Sequence, residues 1–208
     1  MPPDRDPTPV AAVLVPVKAF GRAKGRLAEV LDDDARARLA RAMADRVLAA
    51  AHPLPSAVVC DDDDVADWAR EAGARVIRTD RAGLNAAVGL GVEELTRRGV
   101  TRVVIAHADL PFAAGLAALA EAEPTEVVLV PDRRGDGTNV MSIPTGAGMT
   151  FHYGPGSFDA HRAAAARCDL AVRVVDSGPL GWDVDEPDDL DPPPEWGTVA
   201  EPATGTAR

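Results

Sequence analysis

The stretch AAVLVPVKAFGRAKGRL, residues 11–27, decides the fold because it joins an apolar segment to a basic, glycine-spaced loop. Residues 11–17 form a nearly continuous apolar run, which is typical of a strand covered on both faces. Four cations follow within nine positions: Lys18, Arg22, Lys24 and Arg26. Gly21 and Gly25 allow close backbone approach, and amides near a helix start attract phosphate. The loop is therefore either a solvated turn or a site for a strongly negative ligand, such as a triphosphate.

Predicted strands and helices alternate along the rest of the chain. The patterning places strands at residues 11–17, 56–64, 74–79, 101–111, 126–132, 139–144 and 170–176. It places helices after the acidic residues 32–34 to about residue 50, and at 65–72, 84–98, 116–121 and 157–167. This alternation predicts an α/β protein with a mostly parallel sheet and helices on both faces. Sheets of this kind bind ligands beyond the carboxyl ends of their strands.

Length and composition limit the class of protein. The chain has 208 residues, 46% of them hydrophobic, and a formal net charge of −11. We expect one domain at residues 10–190 between flexible tails at 1–9 and 191–208, which are rich in proline and charge. The acidic charge argues against nucleic acid as a partner. Because the sequence shows no membrane span or signal peptide and has only two cysteines, we expect a cytoplasmic protein.

Two acidic motifs follow predicted strands. Asp109 lies in AHADLP, directly after an apolar run, and Asp183 and Asp185 lie in WDVDEPDDL. If the second motif is extended, Asp183 and Asp185 point to the same side, where two carboxylates repel unless a cation lies between them. The three aspartates together could hold one or two Mg²⁺ ions. The alternative is that Asp109 forms a turn or caps a helix and that the second motif is an acidic turn.

Three glycine-bearing segments complete the set of candidate site residues. Asn85 in GLNAAV lies at a helix start, where it could contact a base or cap the helix. GTNVM presents backbone groups around Thr138. YGPGSF places Gly154 and Ser157 just before a helix, which suits either a bound phosphate or carboxylate or plain capping by Ser157.

These motifs, in this order over residues ~10–190, resemble the guanylyltransferases of coenzyme F-420 biosynthesis, whose acceptor is 2-phospholactate or phosphoenolpyruvate. The resemblance implies a single-domain nucleotidyltransferase with a glycosyltransferase-A-like fold, built on a mixed sheet. The resemblance also implies a role for each candidate site residue. Asp109, Asp183 and Asp185 would hold metal, and Thr138, Gly154 and Ser157 would contact the phosphorylated acid, mainly through the backbone. Lys18, Lys24 and Arg26 would lie against the GTP phosphates, and Asn85 near the nucleoside.

The implied reaction joins the GMP moiety of GTP to phosphoenolpyruvate with release of pyrophosphate, with Lys18, Lys24 and the three aspartates as the catalytic set. No general base is needed, because a phosphate with a second pKa of about 6 is already largely ionised at neutral pH. The Ala- and Arg-rich composition suggests an actinobacterial-type source and favours phosphoenolpyruvate over 2-phospho-L-lactate or 3-phosphoglycerate. A downstream transferase of the same pathway is a candidate partner. The rival hypotheses are a metal-dependent glycosyltransferase and a nucleotide-binding regulator without turnover.

Overall fold

Strand β1 (Ala11–Pro16) is the strand expected from the apolar run, and it lies inside a seven-stranded sheet. The computed structural model describes residues 11–199. The other strands are β2 (Ser56–Cys60), β3 (Arg75–Arg78), β4 (Arg102–Ala106), β5 (Glu126–Pro131), β6 (Thr138–Pro144) and β7 (Ala171–Val174). The helices are α1 (Asp33–Ala50), α2 (Asp63–Glu71), α3 (Leu84–Arg97), α4 (Ser157–Arg167) and the short α5 (Gly178–Gly181).

The sheet is mixed, in the order β3-β2-β1-β4-β6-β5-β7. Strand β6 runs antiparallel to both of its neighbours, β4 and β5, whereas the other pairs are parallel. Because β6 is reversed, its first residues, Thr138 and Asn139, lie at the edge where β1 and β4 end. The predicted mostly parallel α/β architecture is confirmed, and the reversed strand brings a further polar segment to the ligand-binding edge.

Helices cover both faces of the sheet, and the alternation of side chains along β1 shows how. Val13 and Val15 pack in the cluster that contains residues of α1 and α2, while Leu14 packs in the cluster that contains residues of α3 and α4. The close fit of α3 depends on Gly91, because a Cβ there would lie 2.6 Å from Leu14 Cδ2. The aspartates before α1 and α2 cap them: Asp32 accepts from the amide of Ala35 and Asp62 from that of Val65.

Several predicted elements end earlier than expected. The strand predicted at 56–64 stops at Cys60, because Asp62 leaves the strand to cap α2. The helix predicted at 116–121 is a 3-10 helix, Leu116–Ala120.

The segment predicted as a tail at 191–208 is partly ordered. Pro194–Trp196 forms a 3-10 helix, and the ring centroids of Trp196 and Phe112 lie 5.5 Å apart. Val199 is buried. The folded unit therefore extends to Val199, and residues 1–10 and 200–208 lie outside the described part.

Among residues 11–199, no helix combines the length and the apolar character needed to cross a membrane.

Candidate active site

A cavity of about 440 Å³ opens at the carboxyl edge of the sheet, within the size range of small-molecule sites. Lys18, Arg22 and Lys24, from the loop after β1, line one side together with Asp109 and Asp185. Residues that follow β2 and β3 line the other side, and they are Asp61, Thr79, Arg81 and Gly83. Charged side chains therefore line both sides of the cavity, with Lys24, Asp109 and Asp185 grouped at the side beneath β1 and β4.

Lys24 is the central cation of this site. Its Nζ lies 2.6 Å from Asp109 Oδ2 and 3.0 Å from Asp185 Oδ1, and its side chain is only 8% exposed. Its backbone adopts the left-handed conformation, φ 57°, just before the 3-10 helix Gly25–Glu29. Lysine rarely adopts this conformation, and strained backbone is typical of functional sites. The glycine-spaced loop thus turns its buried cation inward to the carboxylates.

The charges of the site alter the pKa values of its members. Burial lowers the pKa of Lys24, but Asp109 and Asp185 outweigh that effect and raise it above the ordinary lysine value. Burial likewise raises the pKa of Asp109, and the ammonium of Lys24 reverses this and brings the value below the ordinary one. Both groups are therefore charged at neutral pH.

Asp183 completes the acidic cluster. Asn139 Nδ2 lies 3.4 Å from Asp183 Oδ1, and the amide of Val184 donates to the carbonyl oxygen of Asp109 over 3.2 Å. Burial, with added repulsion from Asp109 and Asp185, raises the pKa of Asp183 to about 6. The site thus holds more negative charge than Lys24 alone can neutralise.

The three aspartates fit Mg²⁺ by donor type, because Mg²⁺ prefers carboxylate oxygens and keeps places for substrate phosphates. Asp109 Oδ1 is buried and has no hydrogen-bond partner, so one oxygen remains available to a cation. Lys24, however, lies between Asp109 and Asp185, and residues 11–199 contain no group of three acidic, histidine or cysteine side chains arranged as a metal site. The structure therefore brings the donors together without a closed coordination shell.

The acceptor candidates lie beside this cluster, on β6 and α4. Thr138 is buried, and its Oγ1 lies 3.0 Å from Nδ1 of His161. Nε2 of His161 accepts the amide of His152, so Nδ1 carries the proton and donates to Thr138. Burial lowers the pKa of His161 to about 4, which keeps the imidazole neutral. The Thr138 hydroxyl accepts this proton and keeps its own O–H to donate, while its backbone groups are also available to a ligand.

Gly154 and Ser157 form the turn that begins α4. The amide of Ser157 donates to the carbonyl of Gly154, whose φ of 132° is open to glycine and rare for other residues. The turn is tied to the β5–β6 loop, because the amide of Gly156 donates to Asp136 Oδ2 over 3.0 Å. This loop and turn are adjacent to Thr138, so the three predicted acceptor residues share one region.

Two predicted nucleotide contacts have other partners in the structure. Arg26 is 71% exposed, faces Glu186 at 3.7 Å and does not line the cavity, whereas Arg22 of the same loop does. Asn85 neither lines the cavity nor caps α3, whose N-cap is Gly83. Its amide instead forms a pair of hydrogen bonds with the backbone of Tyr153, at 2.6 and 3.1 Å. Nucleotide contact by Arg26 and Asn85 stays a prediction, and the structure favours Arg22 in place of Arg26.

Asp189 belongs to the WDVDEPDDL segment, but the motifs assigned it no role. It is buried, and its carboxylate accepts from the amides of Asp185 and Glu186. Its spacing of three from Glu186 is the spacing of a capping box, and this signal could have found it.

The mixed sheet, with a cationic loop after β1 and Asp109 after β4, has the architecture of the nucleotidyltransferase- and glycosyltransferase-like folds. A solved nucleotidyl transferase from Methanothermobacter thermautotroptrophicus superposes with a TM-score of 0.62 at 17% identity, covering 86% of this chain and 94% of that one. Glucosyl-3-phosphoglycerate synthase from Mycobacterium tuberculosis, solved with Mg²⁺ and uridine diphosphate, gives 0.51 at 13% identity, covering 81% and 69%. Both likenesses show the fold.

Sequence comparison identifies the family. Residues 11–192 match the family described as "Guanylyl transferase CofC like", and the chain belongs to it. A phosphoenolpyruvate guanylyltransferase from Rubrobacter xylanophilus is 38% identical over 184 residues, covering 85% of this chain and 90% of its own length. The resemblance to guanylyltransferases predicted from the motifs is confirmed.

Proposed function

We propose that this protein transfers the GMP moiety of GTP to phosphoenolpyruvate, releasing pyrophosphate and forming enolpyruvoyl-diphospho-guanosine for coenzyme F-420 biosynthesis. The observation that carries the proposal is the convergence of Lys24, Asp109 and Asp185 at the end of the cavity. The similar protein from Rubrobacter xylanophilus bears the name of this activity. A cytoplasmic location and a downstream transferase that takes the product are parts of the same proposal.

In this proposal the triphosphate lies against Lys18, Arg22 and Lys24. These cations neutralise the phosphates and align the α-phosphorus, which is how phosphoryl-type transfers are mainly accelerated. Asp109, Asp183 and Asp185 would hold Mg²⁺, whose chemistry is to neutralise charge on the phosphate oxygens and orient them. The prediction of two ions rather than one stays a prediction.

The acceptor acid lies on the other side of the aspartates, against the backbone of Thr138, Gly154 and Ser157. Its phosphate oxygen attacks the α-phosphorus, the new P–O bond forms, and the bond between the α-phosphorus and the bridging oxygen breaks as pyrophosphate leaves. No proton has to be removed, because the attacking phosphate is already ionised. The protein's task is therefore to hold two anions close together and to offset their repulsion.

Incubation of the protein with GTP, Mg²⁺ and one acceptor at a time tests the proposal. Phosphoenolpyruvate, 2-phospho-L-lactate and 3-phosphoglycerate are all three-carbon acids with one phosphate and one carboxylate, and pyrophosphate release scores each of them. We expect release to be fastest with phosphoenolpyruvate. Fastest release with another acid would correct the acceptor, free nucleoside diphosphate formed from a sugar nucleotide would indicate a glycosyltransferase, and GTP binding without turnover would indicate a regulator.

A matched pair of variants tests which arginine meets the triphosphate. Arg22→Ala removes a cation that lines the cavity, so we expect KM for GTP to rise about tenfold, as loss of roughly 1.4 kcal/mol of binding would give. Arg26→Ala removes one that faces Glu186, so KM should change less than twofold. The opposite ranking would place the phosphates against Arg26, as the sequence predicted.

A further inference from the structure

Near the end of the WDVDEPDDL motif, Asp189 has a carboxylate that is almost completely buried. Asp189 is 2% exposed, and its Oδ2 accepts the amides of two successive residues, Asp185 over 2.8 Å and Glu186 over 2.7 Å. These amides belong to the segment that presents the Asp185 carboxylate to Lys24. One buried oxygen therefore sets the direction of the backbone from which a site aspartate projects.

A buried carboxylate needs a cation, and the β5–β6 loop supplies it. Arg133 forms an ion pair with Asp189 Oδ1, and Arg134 Nη2 lies 3.7 Å from the same oxygen. The guanidinium of Arg133 also lies 4.1 Å from the ring centroid of Trp182, and Trp182 Nε1 donates to the carbonyl oxygen of Asp189. The arginine is thus held between an aromatic face and the carboxylate, a fixed geometry that a lysine could not reproduce.

The same loop leads to the acceptor region. Asp132 accepts the amides of Arg134, Asp136 and Gly137, which closes the loop on itself. Asp136 in turn accepts the amide of Gly156 in the turn before α4. Hydrogen bonds and an ion pair therefore link the Asp185 segment to Arg133 through Asp189, and the backbone of the same loop leads on to Asp136 and its hydrogen bond to the proposed acceptor turn.

We propose that Asp189, paired with Arg133, is a positioning residue that fixes the Asp185 segment relative to the acceptor turn. It touches neither substrate and acts through the backbone amides of Asp185 and Glu186. The inference rests on the proposed function only in assigning Asp185 to the nucleotide and cation site. A simple turn-capping role would need neither the paired arginine nor the near-complete burial.

Three variants and a matched control test this role. Asp189→Ala removes both acceptor oxygens, Asp189→Asn keeps an acceptor oxygen without the charge, and Arg133→Met removes the cation but leaves the carboxylate. Asp188→Ala, at the exposed neighbouring aspartate, is the control. Far-UV circular dichroism and denaturant unfolding show which variants fold. If Asp189→Ala does not fold, Arg133→Met still tests the role of the ion pair.

The first readout needs no ligand. In ¹H–¹⁵N spectra we expect the amide resonances of Asp185 and Glu186 to shift in the Asp189 variants and to stay in place in Asp188→Ala. The second readout is the titration of Mn²⁺ with GTP, followed by the Mn²⁺ spin-resonance signal. Removing a residue that orients cation ligands typically weakens binding about 10- to 100-fold. We expect a loss in that range for Asp189→Ala, a smaller one for Asp189→Asn and Arg133→Met, and less than twofold for Asp188→Ala.

Folded Asp189 and Arg133 variants that keep both amide resonances and bind Mn²⁺ and GTP as the unaltered protein does would overturn the positioning role. Equal losses in Asp188→Ala would overturn it as well. The proposed function fails separately, when the unaltered protein binds Mn²⁺ and GTP but transfers GMP to none of the acceptors.

Discussion

Replacing Lys24 with methionine probes the centre of the site, because it removes the ammonium while keeping most of the side chain's volume. The perturbation leaves Asp109 and Asp185 without the cation that lies 2.6 and 3.0 Å from their oxygens. The charged form of Asp109 is destabilised more than that of Asp185, since the other oxygen of Asp109, Oδ1, is buried without a hydrogen-bond partner in the intact protein. We therefore expect Lys24→Met to lower the free energy of unfolding as well as to abolish turnover.

The size of the loss follows from the burial of the two pairs. Removing one partner of a buried ion pair costs about 3–5 kcal/mol, because a charge is left uncompensated away from water. The side chain of Asp185 is 46% exposed, so solvent screens its share of the pairing. The lower end of the range, about 3 kcal/mol, is therefore the expected change at pH 7 without divalent cations.

Urea unfolding of Lys24→Met and Lys18→Met, in buffer that contains a chelator, measures this effect. Lys18 lines the same cavity but is exposed, so its loss should change stability by less than about 0.5 kcal/mol while still impairing GTP binding. Adding Asp109→Asn to Lys24→Met should recover part of the lost stability, because the uncompensated charge is then gone. A Lys24→Met protein that unfolds at the same urea concentration as the unaltered protein would refute the buried ion pair.

Two further predictions concern the packing and the protonation of the fold. Gly91→Ala should be about 1–3 kcal/mol less stable than Gly89→Ala in denaturant unfolding. A Cβ at Gly91 would lie 2.6 Å from the buried Leu14, whereas a Cβ at Gly89 would have its nearest neighbour at 4.0 Å. Equal stability of the two variants would show that α3 can shift freely. The pKa of His161, lowered by burial from 6.5 to about 4, means that the unfolded chain takes up a proton before the folded one does. Stability should therefore fall by about 2 kcal/mol from this residue between pH 7 and pH 5, and His161→Gln should lose that part of the pH dependence. An unchanged pH slope in His161→Gln would contradict the buried neutral imidazole.

The sequence alone determined the order of strands and helices and the edge at which the motifs meet. Apolar runs with flanking acidic caps are local signals, as at Asp32 and Asp62, and they need no knowledge of the partners in the fold. Parallel strands end at one edge, so motifs that follow β1 and β4 must lie near each other once the strands pair. This topological rule allowed Lys24 and Asp109 to be grouped although 85 positions separate them.

The tertiary structure alone decided which side chain of each motif meets which partner. Arg22 and Arg26 have the same charge and lie on the same loop, but the left-handed turn at Lys24 separates the directions in which they point. Asn85 pairs with a backbone 68 positions away, and Asp189 pairs with an arginine 56 positions away. Such choices depend on side-chain directions and on distances of a few ångströms between segments remote in the chain. Those directions and distances are set only after the sheet has formed, because only then do remote segments come within the roughly 3.5 Å that a hydrogen bond requires.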